Sequence, residues 1–103
     1  MTISVLTPDR TIFTGNITAV ALPGVEGSFQ LLENHAPLVS ALSAGSVTLQ
    51  TGGGAYRYFD AEEKRMTEDQ SGSRSMTFTI DRGFVEVLNN EVNLLVEGAR
   101  NLR

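Results

Sequence analysis

The chain has 103 residues, no cysteine, no tryptophan and a formal net charge of −4. That length makes one domain with one aliphatic and phenylalanine core, and it calls for no disulfide staples. Lys64 is the single lysine and the arginines are scattered, so no basic cluster exists to neutralise phosphates and nucleic acid is excluded as a partner. No run approaches the roughly 20 apolar residues that span a bilayer. Met1 to Val5 lacks the basic flank and apolar stretch of a signal peptide, and the expectation is a soluble intracellular protein.

Thr2 to Leu6 alternates polar and apolar residues, which predicts a half-buried strand. Thr7-Pro8-Asp9-Arg10 is a turn, and Thr11 to Thr14 a short β-branched strand. Gly15-Asn16 reads as a turn into a third strand, Ile17 to Leu22, which Pro23-Gly24 breaks. Val25-Glu26-Gly27 completes a tight turn and Ser28 to Leu32 starts the next strand. Glu33 to Pro37 forms a second corner, and an apolar run from Leu38 ends at Gly45.

Ser46 to Thr51 alternates again. Gly52-Gly53-Gly54 reads as a hairpin turn with Ala55 to Phe59 returning as its partner strand. Asp60 to Ser75 differs in kind. It is highly charged, with Met66 its only large apolar side chain, and it predicts a long polar loop or hairpin with a turn or two of helix over Ala61 to Met66 and a mobile Ser71-Gly72-Ser73 end. Met76 to Ile80 and Phe84 to Leu88 are strands flanking an Asp81-Arg82-Gly83 turn. Asn89-Asn90 is a two-residue hairpin connection to Glu91 to Val96, and Glu97 to Arg103 is a polar tail. About ten short strands with turns between them and no helical period make an all-β protein, an antiparallel β-sandwich in a single domain spanning residues 1–103. A small closed barrel uses the same signals.

The residues of catalysis are missing. His35 is the only histidine, and Glu33 beside it on a turn builds no orienting triad. One histidine without cysteines leaves only carboxylates for a metal, in no EF-hand spacing. The glycine run at 52–54 lacks the Lys-Ser/Thr that follows a phosphate loop. No cofactor, metal or catalytic site is expected, and the chain reads as a binding or structural module. One such module is a free-standing ligand-binding β-sandwich, for example a carbohydrate-binding module, for which only Tyr56 and Tyr58 offer a stacking surface.

The run Leu22-Pro23-Gly24, Glu26-Gly27, His35-Ala36-Pro37-Leu38 and Gly45, followed by Gly83-Phe84-Val85-Glu86-Val87, Asn90, Val92 and Leu94-Leu95-Val96, resembles the epsilon subunit of F-type ATP synthase. Val5, Pro8, Phe13 and Gly15 fit the same pattern, so the likeness covers nearly the whole chain outside Asp60 to Ser75. The resemblance implies a ten-stranded β-sandwich in the rotor's central stalk. That domain docks on the gamma subunit and rests on the ring of c subunits, coupling ion translocation to ATP synthesis without bond-making chemistry of its own. It also implies a peripheral position on the cytoplasmic face of the bacterial inner (cell) membrane, touching the membrane only through the complex.

Three departures from the family stand out. The sequence stops at Arg103 without the usual C-terminal pair of helices, which reads as a short form of the subunit or as its first domain alone, and neither inhibition by a helical hairpin nor a nucleotide site is expected. Ser28 stands where many members carry an acid after the Glu-Gly turn, and the Gly54 to Met76 region is longer than is common. Carried over residue by residue, the interface with gamma and the c ring falls on Glu26, Gly27, Ser28, Asn34, His35, Ala36 and Pro37 at one loop end of the sandwich. Glu26 is expected to pair with a basic or polar c-ring loop residue, and His35 to face the rotor interface. An exposed apolar patch for gamma is expected on one sheet face, with Val39, Leu42, Val85 and Val87 as candidates.

Overall fold

The computed structural model describes residues 1–70 and 72–102, and its regular elements are ten strands without a helix. The arrangement is set by β2 (Thr11–Gly24), which runs unbroken for 14 residues. Over Phe13 and Thr14 it is held between β1 (Thr2–Leu6) and β6 (Tyr56–Asp60). Over Ala19 to Ala21 it is held between β3 (Gly27–Leu32) and β5 (Gly45–Thr51). The expected turn at Gly15-Asn16 is therefore absent. Gly15 is there for close packing, since a Cβ at that position would lie 2.6 Å from the Tyr56 Cβ. A glycine inside a strand marks close approach as readily as it marks a bend.

Two sheets share β2. The first runs β4 (Leu38–Leu42), β9 (Arg82–Leu88), β10 (Glu91–Glu97), β1 and the first half of β2, which also carries β6 and β7 (Arg65–Asp69). The second runs β3, the second half of β2, β5 and β8 (Ser75–Ile80). The sandwich is not wholly antiparallel. The first strand, β1, pairs in parallel with the last, β10, from Thr2 beside Glu91 to Leu6 beside Leu95. Between the sheets lies one core. The first sheet gives Ile3, Val5, Val85, Val87, Leu94 and Val96, and the second gives Val20, Leu22, Leu31, Leu49, Phe78 and Ile80. Each set occupies alternate positions of its strands, because a pleated strand sends successive side chains to opposite faces.

The turn chemistry is local. Asn89 and Asn90 take φ of 51° and 62°, the left-handed pair that closes the β9–β10 hairpin. Gly27 takes φ 132° at the β2–β3 tip, a conformation few other residues adopt. The glycines at 52–54 do not close a hairpin. β5 pairs with β8 and β2, whereas β6 pairs with β7 and β2, so Ala55 to Phe59 is not the partner of Ser46 to Thr51.

Residues 61–66 form no helix. Ala61 to Lys64 is the turn between β6 and β7, with Asp60 accepting from the Glu62 and Glu63 amides at 2.9 and 3.3 Å. The pairing of Arg57 with Glu68 and the contact of Tyr58 and Phe59 with the core hold this charged stretch as strand. A polar knot fixes its base. The Thr51 hydroxyl accepts from the Arg74 amide at 2.8 Å, Tyr56 donates to Asp69 at 3.2 Å, and Arg74 reaches both Tyr56 and Asp69. The hydrogen bond to Tyr56, with lesser charge effects, raises the Arg74 pKa above its ordinary value, which leaves an already cationic group cationic. The mobile end expected at Ser71 to Ser73 falls partly on Ser71, outside the described residues, as does Arg103 of the polar tail.

Candidate functional site

Strand parity decides what the first sheet shows to solvent. On β9, Glu86 is exposed while Val85 and Val87 are fully buried. A carboxylate flanked by two valines can stay hydrated only if the valines point inward, and Phe84 and Leu88 then share its outer face. Three of the four residues expected in an apolar patch are thus core: Val85, Val87 and Leu42, the last lying beside Gly24 and Gly83. Val39 alone is exposed, at 71%.

The apolar surface exists and is built from their neighbours. Ala41 lies opposite Phe84, Phe84 opposite Leu95, and Leu95 beside Leu6, so one row crosses β4, β9, β10 and β1. Four strands at their usual spacing make that row about 14 Å long. Phe84 and Leu95 are 58% and 51% exposed. An open groove of about 430 Å³ runs along it, lined by Leu6, Pro8, Ala41, Phe84 and Leu95. The next row along the strands is Val39, Glu86, Asn93 and Ser4, and beyond it Leu88 lies opposite Glu91. The single cation on this part of β9, Arg82, is paired with Glu97 across the β9–β10 hairpin.

The loop residues fall in two places. Val25 and Glu26 form the tip of the β2–β3 hairpin, with Gly27 and Ser28 opening β3, and all four are exposed. Asn34, His35, Ala36 and Pro37 lie past the other end of β3. Five steps along the strand lead from Gly27 to Leu32, which puts the two groups about 17 Å apart. Single-ended presentation of all seven is therefore wrong, because a corner before β3 and a corner after it sit at opposite ends of one strand. The 34–37 corner is internally tied. The Asn34 amide donates to the Asn90 side chain at 2.8 Å, and His35 Nδ1 donates to the Ala36 carbonyl at 2.7 Å. Pro37 also borders a hollow with Val39, Glu86 and Leu88, which makes the corner the rim of the apolar face.

Residues 1–63 match the family model for the ATP synthase delta/epsilon chain, β-sandwich domain. The chain belongs to that family. An ATP synthase epsilon chain of Chlorobium limicola is 34% identical over 92% of this chain and 86% of its own length. That of Chlorobaculum tepidum is 36% identical over 93% and 88%. The epsilon chain of Salinibacter ruber is 35% identical over 94% of this chain, which spans 58% of that relative's length. The fold superposes on chains of the Tetrahymena thermophila mitochondrial ATP synthase central stalk and c ring (TM-score 0.66, 17% identity, 98% of this chain and 66% of that one). It also superposes on one from the Euglena gracilis mitochondrial ATP synthase (TM-score 0.67, 17% identity, 95% and 51%).

Among the described residues, this epsilon-type sandwich holds no group of three or more His, Cys, Asp or Glu placed to bind a metal. Its one histidine faces solvent with Nδ1 committed to a neighbouring carbonyl. The aromatic platform required of a sugar-binding sandwich is also missing at the expected place. Tyr56 is 2% exposed and stacks on Phe13 at 5.6 Å, and Tyr58 is half-buried beside it. The sequence signal that locates the outer apolar row was present in β9 all along: the charge at Glu86 fixes the parity of Phe84 and Leu88.

Proposed function

We propose that the chain is a central-stalk subunit of an F-type ATP synthase, a non-catalytic rotor part that helps couple ion translocation to ATP synthesis. The observation that carries this reading is an exposed apolar row, Ala41, Phe84, Leu95 and Leu6, on a sandwich of the epsilon-chain family. Monomers seldom leave so many large apolar side chains together on one sheet, and such patches mark protein partners. The row and its rim at Asn34 to Pro37 receive the gamma subunit. The β2–β3 tip, with Glu26 exposed and in none of the ion pairs among the described residues, meets the polar loops of the c ring. Gly27 and Ser28 shape that tip. The β6–β7 hairpin leaves the docking face open, since β10, β1 and β2 separate it from β9. The subunit then sits peripherally on the cytoplasmic side of the cell membrane and touches it only through the complex.

The test is reconstitution with the gamma subunit of the same organism. Co-elution as a one-to-one complex and a raised melting temperature are expected. Failure to associate, together with retention on a glycan surface, would return the chain to the class of ligand-binding sandwiches.

A further inference from the structure

The outer face of the first sheet is not uniformly apolar, and its charge is unbalanced. Arg82 and Glu97 neutralise each other at one margin. Neither Glu86 nor Glu91, which lies at the far margin opposite Leu88, shares in any ion pair among the described residues. Glu86 is the central one of the two. Val39 lies opposite it on β4 and Asn93 on β10, while Phe84 and Leu88 flank it along β9 on the same face. Val39 and Leu88, at 71% and 52%, are as open to solvent as Phe84. Any surface that covers Phe84 and Leu88 must cover the carboxylate between them.

We propose that Glu86 selects the partner on this face, by receiving a lysine or arginine of the gamma subunit set within an otherwise apolar contact. This rests on the docking assignment above and adds the chemistry of the counterpart. A carboxylate taken out of water without a counter-charge is strongly unfavourable, whereas a hydrogen-bonded cation restores what hydration supplied. An apolar partner lacking that cation is rejected, so one side chain supplies both attraction to the right surface and exclusion of wrong ones. Phe84 and Leu95 supply the apolar contact, and aromatic anchors at the centre of a patch carry the larger share of the affinity. Asn93, across from Glu86 on β10, offers an amide to the same cation without competing charge.

The experiment measures binding of the intact chain to purified gamma subunit at several salt concentrations, for wild type, Glu86→Gln, Glu86→Lys and Phe84→Asp. Melting temperatures of all four variants serve as the folding control. Wild type should bind. Glu86→Gln should weaken binding about 10-fold and flatten its salt dependence, and Glu86→Lys should weaken it 100-fold or more, because a like charge replaces the expected attraction. A Lys/Arg→Glu scan of gamma should contain one change that restores binding to Glu86→Lys. If Glu86→Gln binds within twofold of wild type with unchanged salt dependence while Phe84→Asp does not bind, the cation is refuted and the docking face stands. Failure of wild type itself to bind gamma overturns both.

Discussion

The two outer faces of this sandwich are built on the same alternation and differ in what they present. The first sheet shows Val39, Ala41, Phe84, Leu88 and Leu95 around Glu86, with Glu91 and Glu97 at its margins. The second shows Gln30, Gln50, Ser46, Ser75 and a Thr48–Thr77 pair whose hydroxyls lie 3.3 Å apart, with a single large apolar side chain, Leu32, at its β3 edge. Both inner faces give buried apolar residues to one core, and both sheets share β2. Stability asks for inward apolar residues on each sheet and is indifferent to an outward phenylalanine. The contrast between the faces is what the proposed docking rests on, and the second sheet is the internal control for the first.

The sharpest test of that contrast uses adjacent residues of one strand. Leu94→Ala removes a fully buried side chain and should cost about 2–5 kcal/mol, lowering the melting temperature by 10 °C or more. Leu95→Ala, one position on and facing out, should stay within about 0.5 kcal/mol in thermal unfolding of the isolated chain. A comparable loss at both positions would erase the distinction between the faces. Next in size is binding. Phe84→Asp should weaken association with gamma at least 100-fold, by pull-down or calorimetry, while leaving the melting temperature within about 3 °C. Gln50→Asp, exposed on the second sheet, should leave affinity within twofold, and a loss there equal to that at Phe84 would move the docking face to the wrong side. The smallest effect concerns the rim. His35→Ala breaks a single hydrogen bond to a neighbouring carbonyl at an exposed corner, and should change unfolding free energy by less than about 0.5 kcal/mol. A larger change would mean that the corner holds the fold rather than a partner.

Much of the architecture was legible in the residues. The alternation of Thr2 to Leu6, Ser46 to Thr51 and Met76 to Ile80 marks real strands, and Asn89-Asn90 closes a real hairpin. The charged stretch after Asp60 misled, because its helix formers outweigh its strand formers locally. A neighbour already in place, β6, offered Arg65 to Asp69 an edge to pair with. Glycine misled twice, at Gly15 and at Gly52 to Gly54, since the same residue serves a bend, a close contact and a crossing between sheets.

The candidate site was readable only in part. The expected apolar patch was one residue out on β9, and the two loops were placed together when β3 holds them apart. Parity along a strand belongs to the segment itself, so the sequence alone determined the alternation of most strands and, through Glu86, the outward face of β9. Partnership belongs to the whole chain. That β1 meets β10 in parallel, that β5 takes β8 and not β6, and that the apolar residues of four strands fall into one row were decided only in the tertiary structure. Every strand carries unpaired backbone groups on two edges, and which edges meet depends on the joint burial of a single core that no local window contains.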